Sequence, residues 1–409
     1  MNAQIIHLLP YTIIIKYNHT RKDYAMTQSF DMSQLPGLLN FDSAHIQRSR
    51  ERQCRAWRRE RLDVPLLFIN DALSPKQETI PTYNYKQIFT DPAKMLCCET
   101  RAACAAANGH SDSVPSIRAN LGTGILLACL GLEQETFPDK MPWLQAHLSK
   151  EQVAKLTPDD IRPCGSFGRG LEMMRYFKSI MGDALPIYVM DTQGPFDLAH
   201  MLMGDAVFLE LYDDPPFVHH LMNLCLELGL KTHRWMKEVI GEPLTALHHS
   251  KMLYSDSFGI RICEDTTALL GEDQIREFAI PYSKRLAQAF GGAWVHYCGY
   301  NEVLTNAILE QPEFKALNFG HIPGHQHEID FFANMDKFNR AGKVNFNAWP
   351  PFPDETAEAY LRRLHTYAAP GVLVPQLWFA SSLLKAHFKS VADILAFWQC
   401  LGSRDMKST

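Results

Sequence analysis

The stretch WVHYCGY, residues 294–300, places a histidine and a cysteine two positions apart. In an extended strand, residues i and i+2 project from the same face. His296 and Cys298 would therefore point together, while Val295 and Tyr297 point away. An imidazole nitrogen and a thiolate sulfur are both zinc ligands, but a zinc site needs at least one more protein donor. The pair indicates either part of a metal site or two residues that line a substrate pocket.

The composition is that of a globular enzyme, with 46% hydrophobic and 21% charged residues in a chain of 409. A net charge of −5 provides no basic excess of the kind that nucleic-acid binding requires. Ten cysteines are scattered along the chain without a CxxC motif, which is typical of reduced thiols in a cytosolic protein. We therefore expect a cytoplasmic enzyme that acts on a small molecule and binds no nucleic acid.

Residues 1–31 differ from the rest of the chain. Their apolar run IIHLLPYTIIIKY is interrupted by a histidine and a proline, and it is shorter than the roughly 20 residues that a spanning helix needs. We interpret residues 1–31 as an N-terminal extension, disordered or non-native, with natural synthesis starting near Met26 or Met32. Residues 32–409 are predicted to form one domain, and we expect no stable membrane insertion.

Short apolar runs rich in β-branched residues alternate with helical patterns along most of the chain. There are eight such runs, at residues 64–70, 113–120, 186–191, 259–265, 293–299, 315–320, 343–349 and 371–378. Strands alternating with helices favour βαβ units and a parallel sheet. Eight units predict an α/β fold of the (β/α)8 TIM-barrel type. Extra N-terminal helices are expected, including a basic helix over residues 44–62 that covers the bottom of the barrel.

Polar side chains follow nearly every run, at the strand ends where barrels of this type place their active sites. Asp265 lies at the end of the fourth run. It could orient substrate or accept a proton, or it could cap a helix that begins near Gly271, and the sequence favours neither role over the other. His248 and His249 precede that run and are expected to be solvated loop residues. We predict that the remaining strand-end residues bind substrate: Asp71, Arg118, Asn120, Asp191, Gln193, Asn318, Asn347, Gln376 and Trp378.

Three segments resemble the uroporphyrinogen decarboxylase superfamily, and the resemblance covers roughly residues 60–400. The segments are QGPFDLAHMLMGDAVFLELYDDPPFVHHLM (193–222), CEDTTALLGEDQIREFAIPYSKRL (263–286) and VHYCGYNEVL followed by ALNFG, within residues 295–320. This superfamily also contains zinc-dependent methyltransferases that pass methyl groups between corrinoid proteins and thiols. The resemblance implies a (β/α)8 barrel, in agreement with the eight runs.

Several features of the true decarboxylases are missing from this sequence. Those enzymes hold substrate carboxylates with an arginine pair after the first strand, where this chain reads FINDALSPKQ (68–77) and has no arginine. Their pyrrole-binding aspartate has no counterpart within residues 118–131. Their third-loop tyrosine falls near His200 or Met201, and their late histidine falls near Trp378. The resemblance therefore favours the methyltransferase branch.

In the methyltransferase branch, the resemblance implies a zinc ion held by a His-x-Cys pair and by a second cysteine. His296 and Cys298 match the pair, and with Asp265 they are the predicted catalytic residues. Zinc coordination would make a thiol acceptor a thiolate at neutral pH. No corrinoid-binding module is recognisable in the chain, so a corrinoid would be a substrate or the cofactor of a separate partner protein.

The second cysteine of that branch lies in an Ala-Pro-Gly-Cys stretch on the eighth strand. Here the stretch reads VPQL (374–377), and Leu377 stands where the cysteine would be. Leucine cannot bind zinc, so the site needs another donor. We predict His321 as the third metal ligand, with Asp265 and Gln376 as the other candidates.

Three functions remain open at this point. The first is a zinc-dependent, methyltransferase-like enzyme that moves a methyl group between a corrinoid or methylated small molecule and a thiol or corrinoid acceptor. The second is a metal-free decarboxylase acting on a tetrapyrrole or a smaller acidic substrate, in which Asp265, His296 and Arg118 contact the substrate. The third is a barrel that binds a ligand without catalysis. The oligomeric state is also open, with a homodimer as one option.

Overall fold

A computed structural model describes residues 30–320, 329–378 and 381–405 of the chain. Within these ranges the predicted (β/α)8 barrel is confirmed, and each of the eight predicted runs contains one barrel strand. The predicted division at residue 31 falls beside residues 1–29, which lie outside the described part, and it stays a prediction. None of the helices in the described ranges is long and apolar enough to cross a membrane.

Twelve strands lie in the described ranges, and eight of them form the barrel. The strands are β1 (Phe68–Asn70), β2 (Ile117–Arg118), β3 (Gln134–Glu135), β4 (Trp143–Leu144), β5 (Ile187–Tyr188), β6 (Leu247–His249), β7 (Leu253–Ser255), β8 (Ile260–Cys263), β9 (Ala293–Tyr297), β10 (Phe314–Phe319), β11 (Val344–Asn347) and β12 (Leu373–Trp378). The remaining four form two antiparallel hairpins, β3–β4 and β6–β7.

The barrel strands are all parallel to one another where they pair. Six of them form a continuous sheet in the order β1-β12-β11-β10-β9-β8, and β2 pairs with β5. A bridge between Gln193 and Cys263 joins the segment after β5 to β8. Between β1 and β2, the Asp112 N–H donates a 3.1 Å hydrogen bond to the Leu67 carbonyl, and the Ser111 hydroxyl bonds to Ile69. These contacts bring the ends of the sheet together.

The helices lie outside the strands and in the segments between them. They are α1 (Ser43–Trp57), α2 (Pro75–Glu78), α3 (Tyr85–Thr90), α4 (Pro92–Asn108), α5 (Lys150–Val153), α6 (Gly165–Met181), α7 (Pro195–Met203), α8 (Ala206–Asp213), α9 (Pro215–Ile240), α10 (Glu272–Gln274), α11 (Ile280–Ala289), α12 (Glu302–Leu309), α13 (Phe331–Ala341), α14 (Ala357–Ala368), α15 (Ser382–His387) and α16 (Val391–Asp405). One π-helical turn, Ile275–Ala279, connects α10 to α11.

Alternation along the strands divides the buried apolar residues into two layers. In β9, Trp294 packs with the apolar residues of the barrel interior, whereas Val295 and Tyr297 pack in the outer layer between strands and helices. This is the orientation that the sequence predicts for the strand. The face of β9 that carries Trp294 also carries His296, so His296 points into the barrel.

Helix α1 and the β6–β7 hairpin close the N-terminal end of the barrel, which confirms the predicted place of the basic helix. The Trp57 indole N–H donates a 2.7 Å hydrogen bond to the Tyr254 carbonyl. The Gln53 side chain accepts from the Tyr254 N–H at 2.7 Å and donates to the Met252 carbonyl at 2.9 Å. Since this hairpin is buried beneath the barrel, His248 and His249 are also buried, and the expectation that they are solvated is wrong.

Gly194 marks the closest approach between the loop after β5 and the end of β8. Its N–H donates a 2.7 Å hydrogen bond to the Cys263 carbonyl. A Cβ atom on Gly194 would lie 2.6 Å from that carbonyl oxygen and closer still to Glu264 Oε1. Because the obstacles are backbone and a buried carboxylate, a larger residue would displace the end of β8.

We expect Gly194→Ala to lower the free energy of unfolding by about 1–3 kcal/mol, the usual range for overpacking. It should also displace Cys263, which follows from the same clash. Urea unfolding measures the stability. The zinc content of the purified protein is the second readout. Gly37→Ala is the control, since a Cβ there meets no atom within 4 Å; equal unfolding midpoints for the two variants would contradict the steric account.

Candidate metal and substrate site

Two adjacent strands position the candidate site. In the parallel register of β8 and β9, Arg261 lies beside Trp294 and Cys263 lies beside His296. Because side chains two residues apart share a face, all four of these residues point into the barrel. The fold thus places a thiol directly beside the imidazole of His296.

Three potential metal donors meet where β8 and β9 end, and a fourth, Cys298 Sγ, lies beside His296. One ligand atom each from Cys263, Asp265 and His296 lies within 4.8 Å of the others. His296 Nε2 lies 3.7 Å from Asp265 Oδ1 and 3.5 Å from Cys298 Sγ. The Cys298 N–H donates a 2.6 Å hydrogen bond to Asp265 Oδ1, which fixes the two strand ends to each other. One nitrogen, one oxygen and two sulfur atoms form a donor set that suits zinc.

The tautomer of His296 follows from its neighbours. Asn318 donates through Nδ2 to the Phe346 carbonyl at 2.7 Å and to Asn347 Oδ1 at 3.2 Å. Its Oδ1 is therefore turned to His296 and accepts a hydrogen bond from Nδ1–H. With its proton on Nδ1, the imidazole has a lone pair on Nε2, the atom that faces Asp265 and Cys298.

The ionisation of these groups favours metal binding by the imidazole but opposes free thiolates. Burial, helped by the Arg261 guanidinium, lowers the pKa of His296 to about 4, so the ring is neutral at physiological pH. Burial, and then the charge of Asp265, raises the pKa of both Cys263 and Cys298 far above the usual value for a thiol. Without a cation beside them, both sulfurs are protonated and weakly nucleophilic.

Two buried acids hold the end of β8 in place. Asp197 accepts hydrogen bonds from the backbone N–H groups of Asp265, at 3.0 Å, and Thr266, at 2.7 Å. Glu264 accepts from the hydroxyls of Ser283 and Thr267. Burial raises the pKa of Glu264 to about 7 and the pKa of Asp197 well above its usual range. The carboxylate of Asp265 caps no helix near Gly271, since it accepts from Cys298 instead.

The other residues predicted at the strand ends divide into two groups. Arg118 lies on β2, and Asp191 and Gln193 follow β5, in the segment that bridges to β8. The Arg118 guanidinium donates to the Met190 carbonyl at 3.1 Å, and Gln193 Nε2 donates to Asp191 at 3.4 Å. By contrast, Asp71 accepts only from the adjacent Ala72 N–H among its side-chain bonds. Asn120 contacts Met95 through its backbone. The structure therefore connects Arg118, Asp191 and Gln193 to the site, and it shows no hydrogen bond between the side chains of Asp71 or Asn120 and the site among the described residues; their role in binding substrate stays a prediction.

The eighth barrel strand contributes differently from the sequence prediction. Leu377 packs in the outer layer, while Val374 lies in the barrel interior, so positions 374 and 376 of β12 face inward. Gln376 therefore points towards the site, and position 377 faces the helices. His321, predicted as the third ligand, and the side chain of Trp378 lie outside the described residues.

A family model for uroporphyrinogen decarboxylase matches residues 48–326, which is more than half of the chain. The chain belongs to the uroporphyrinogen decarboxylase family. No curated protein matches its sequence significantly. Among solved structures, a methyltransferase from Methanosarcina mazei superposes with a TM-score of 0.56 at 14% sequence identity, covering 86% of this chain and 98% of the other. This likeness concerns the fold, and it agrees with the barrel expected of the uroporphyrinogen decarboxylase family.

Cys263 is the donor that sequence reasoning missed. The alternation that identifies His296 and Cys298 also holds in the fourth run, where positions 261, 263 and 265 read Arg, Cys and Asp. Cys263 could have been found from this spacing. Its place beside His296 could not, because pairing register is a property of the folded sheet.

We expect Asn318→Leu to weaken zinc binding by about 10–100-fold, the usual effect of losing the partner of a metal-bound histidine. The variant removes the acceptor that holds the His296 proton on Nδ1. Competition with a chromophoric chelator measures the affinity. Asn318→Asp keeps an acceptor oxygen for Nδ1–H but places its second oxygen against the Phe346 carbonyl and Asn347 Oδ1, so it should recover only part of the affinity. A loss as large as that of Asn318→Leu would contradict the tautomer argument.

Asp191 carries a stability cost that can be measured. It is 4% exposed, and its Oδ2 has no hydrogen-bond partner among the described residues. Burial raises the pKa of this carboxyl from 3.8 to about 6, against the opposing effect of Arg118. Between these two values the folded state holds the proton more tightly than the unfolded state does, so stability decreases as the pH rises through this window.

We therefore expect Asp191→Asn to raise the free energy of unfolding by roughly 1–3 kcal/mol at about pH 7.5, because the asparagine is neutral in both states. Near about pH 4, where the carboxyl is protonated in the folded protein, most of the gain should disappear. Urea titrations at the two pH values provide the comparison. A gain that does not change with pH, or a loss at neutral pH, would show that the buried charge is not the cause.

Proposed function

We propose that this member of the uroporphyrinogen decarboxylase family is a zinc-dependent, methyltransferase-like enzyme. It would move a methyl group between a corrinoid or methylated small molecule and a thiol or corrinoid acceptor. The observation that carries the proposal is the group formed by Cys263, Asp265 and His296, whose donor atoms lie within 4.8 Å of one another at the mouth of the barrel.

The residues present fit a zinc ion. His296 would bind through Nε2, Cys263 through Sγ and Asp265 through a carboxylate oxygen, with Cys298 as a further donor. A mixed set of sulfur, nitrogen and oxygen atoms suits zinc better than it suits magnesium or calcium. Cys263 is a donor that the sequence did not suggest, and Asp265 is one of the predicted alternatives to His321, which lies outside the described residues.

Zinc bound here would act as a Lewis acid that keeps a substrate thiol deprotonated at neutral pH. The protein groups around it serve that chemistry. Asn318 holds the proton of His296 on Nδ1, away from the donor atom. Asp197 fixes the backbone at Asp265. The low pKa of His296 keeps protons from competing for Nε2.

The partners and location of the enzyme remain proposals. The described residues form a barrel without a recognisable corrinoid-binding module, so the corrinoid would be free or carried by a separate protein. A cytoplasmic location agrees with the nine cysteines before residue 400, which are free thiols in the structure. For the oligomeric state, a homodimer is the option proposed, and light scattering tests it.

A second candidate is a metal-free decarboxylase acting on a small acidic substrate. It is favoured by two arginines, Arg118 and Arg261, which project into the barrel and have no carboxylate within 4.0 Å among the described residues. Such groups suit an acidic substrate whether or not a metal is present. Zinc binding decides between the two candidates.

We expect the purified protein to bind about one equivalent of zinc, and less than about 0.3 equivalents would overturn the metal proposal. Zinc content or zinc affinity should fall in each variant that removes a donor: Cys263→Ala, His296→Ala and Cys298→Ala. Atomic absorption measures the content, and Co²⁺ substitution gives a thiolate charge-transfer band that should weaken in both cysteine variants.

Two control variants sharpen the metal experiment. Cys164→Ala removes an exposed cysteine before α6 and should retain full zinc content. Leu377→Cys restores the residue type of the methyltransferase branch, but its outward direction predicts no gain in affinity. A rise in affinity in Leu377→Cys would contradict the orientation of β12.

The zinc-loaded protein should demethylate free methylcobalamin in the presence of a small thiol, which is followed by the change in cobalamin absorbance. His296→Ala should lose the activity, because it loses the metal. Full zinc occupancy without methyl transfer to any thiol would rule out the methyltransferase proposal and leave the metal site intact.

A further inference from the structure

Beneath the metal donors, three rings form a row across the barrel interior. The ring of His249 lies 5.0 Å from Tyr188 and 5.4 Å from Trp294, measured between centroids. The guanidinium of Arg118 lies 5.9 Å from the centre of the Tyr188 ring, and that of Arg261 lies 5.5 Å from the centre of the Trp294 ring. Both guanidinium groups interact with Asp191 and with His249, so they face the same part of the interior.

Four buried polar atoms around this row have no hydrogen-bond partner among the described residues. They are Arg118 Nε, Asp191 Oδ2, His249 Nε2 and Trp294 Nε1. Asp191, His249 and Trp294 are each at most 5% exposed. Buried polar groups are nearly always bonded, since each orphan costs about 1–3 kcal/mol. Arg118 Nε and Trp294 Nε1 can only donate, so a ligand with acceptor oxygens would give both of them a partner.

The guanidinium groups in this region favour an anion. Three cations and two carboxylates interact here: Arg118, Arg261, Lys251, Glu99 and Asp191. Lys251 pairs with Glu99 at 3.0 Å. Arg261 also interacts with Asp265, so three carboxylates balance the three cations. The guanidinium groups of Arg118 and Arg261 nevertheless have no carboxylate within 4.0 Å among the described residues, so their remaining N–H groups can bind an anion.

We propose that this region is a carboxylate-binding subsite, in which Arg118 and Arg261 bind the acid group of the substrate. A guanidinium presents paired N–H donors that match the two oxygens of a carboxylate. The indole N–H of Trp294 supplies a further donor.

The position of the subsite also limits the length of the substrate. This inference rests on the proposed function. Arg261 Nη2 lies 3.8 Å from Cys263 Sγ, so the same guanidinium reaches both the subsite and the metal donors. A substrate whose thiol binds the metal and whose carboxylate binds Arg261 must have a short chain. We infer a small mercapto-carboxylic acid as the thiol acceptor.

Calorimetry with two small thiols tests the subsite. 3-Mercaptopropionate has a thiol and a carboxylate, and 2-mercaptoethanol has the thiol without the acid. The zinc-loaded protein should bind 3-mercaptopropionate at least about tenfold more tightly, which is the effect of one charged hydrogen-bonded contact. Arg118→Met should remove that advantage and leave binding of 2-mercaptoethanol unchanged, because Arg118 contacts none of the metal donors.

Arg169→Met is the matched control, since the Arg169 side chain is 74% exposed on α6. The zinc content and melting temperature of every variant are measured first. Arg118→Lys retains the charge without the paired donors, so it should bind 3-mercaptopropionate with intermediate affinity. Equal affinities for the two thiols in the native protein would overturn the proposal. An equal loss of affinity for both thiols in Arg118→Met would also overturn it, because it would show that Arg118 has a structural role.

The metal-free protein separates this proposal from the proposed function. Propionate should bind to His296→Ala and should lose at least about tenfold in affinity when Arg118→Met is added. If the native protein binds no zinc but propionate binding still depends on Arg118, the subsite stands and the methyltransferase proposal fails. If zinc binds and propionate does not, the subsite proposal fails alone.

Discussion

The parallel pairing of β8 with β9 places Cys263 directly beside His296, and most of the candidate site follows from this register. The same pairing sets Arg261 beside Trp294 one step deeper in the barrel, and it lets Asp265 accept from the Cys298 backbone one step higher. A slip of one residue would turn every inward side chain of β8 towards the helices. The metal donors and the subsite below them are therefore consequences of a single register.

The barrel interior is apolar near its closed end and polar near its mouth, and this difference has an energetic consequence. Near the closed end, Phe68, Phe346 and Val374 form an apolar interior that needs no partners. Towards the mouth the same strands carry carboxylates, guanidiniums and thiols, each of which costs free energy when buried without a partner. A fold selected for stability alone would have continued the apolar layer. The retention of Asp191 with a raised pKa and an unpaired oxygen indicates that this part of the interior exists for a ligand.

Much of the fold could be predicted from local sequence patterns. Alternating apolar runs indicated eight barrel strands, and the i, i+2 spacing of His296 and Cys298 predicted their common direction correctly. What the patterns could not provide is the relation between strands. Cys263 belongs to another run, and only the folded sheet brings it to His296. His248 and His249 look like loop residues because no local pattern shows that their hairpin closes the barrel. Asp71 and Asn120 lie at strand ends as predicted, but no hydrogen bond connects their side chains to the metal donors among the described residues.

The position of the missing donor has a geometric explanation. In the methyltransferase branch, resemblance implies that the second cysteine comes from the last barrel strand. Here β12 is separated from β9 by two strands, and its residue 377 faces outward. Neighbouring strands, by contrast, are about 4.8 Å apart, so inward side chains on β8 and β9 meet without any adjustment of the backbone. A donor on β8 needs only the correct residue type at a position that already faces His296. Cys263 meets this requirement, and Asp265, two residues further along, adds an oxygen on the same face. The loss of the cysteine on the last strand is therefore compatible with a metal site built from the adjacent strand.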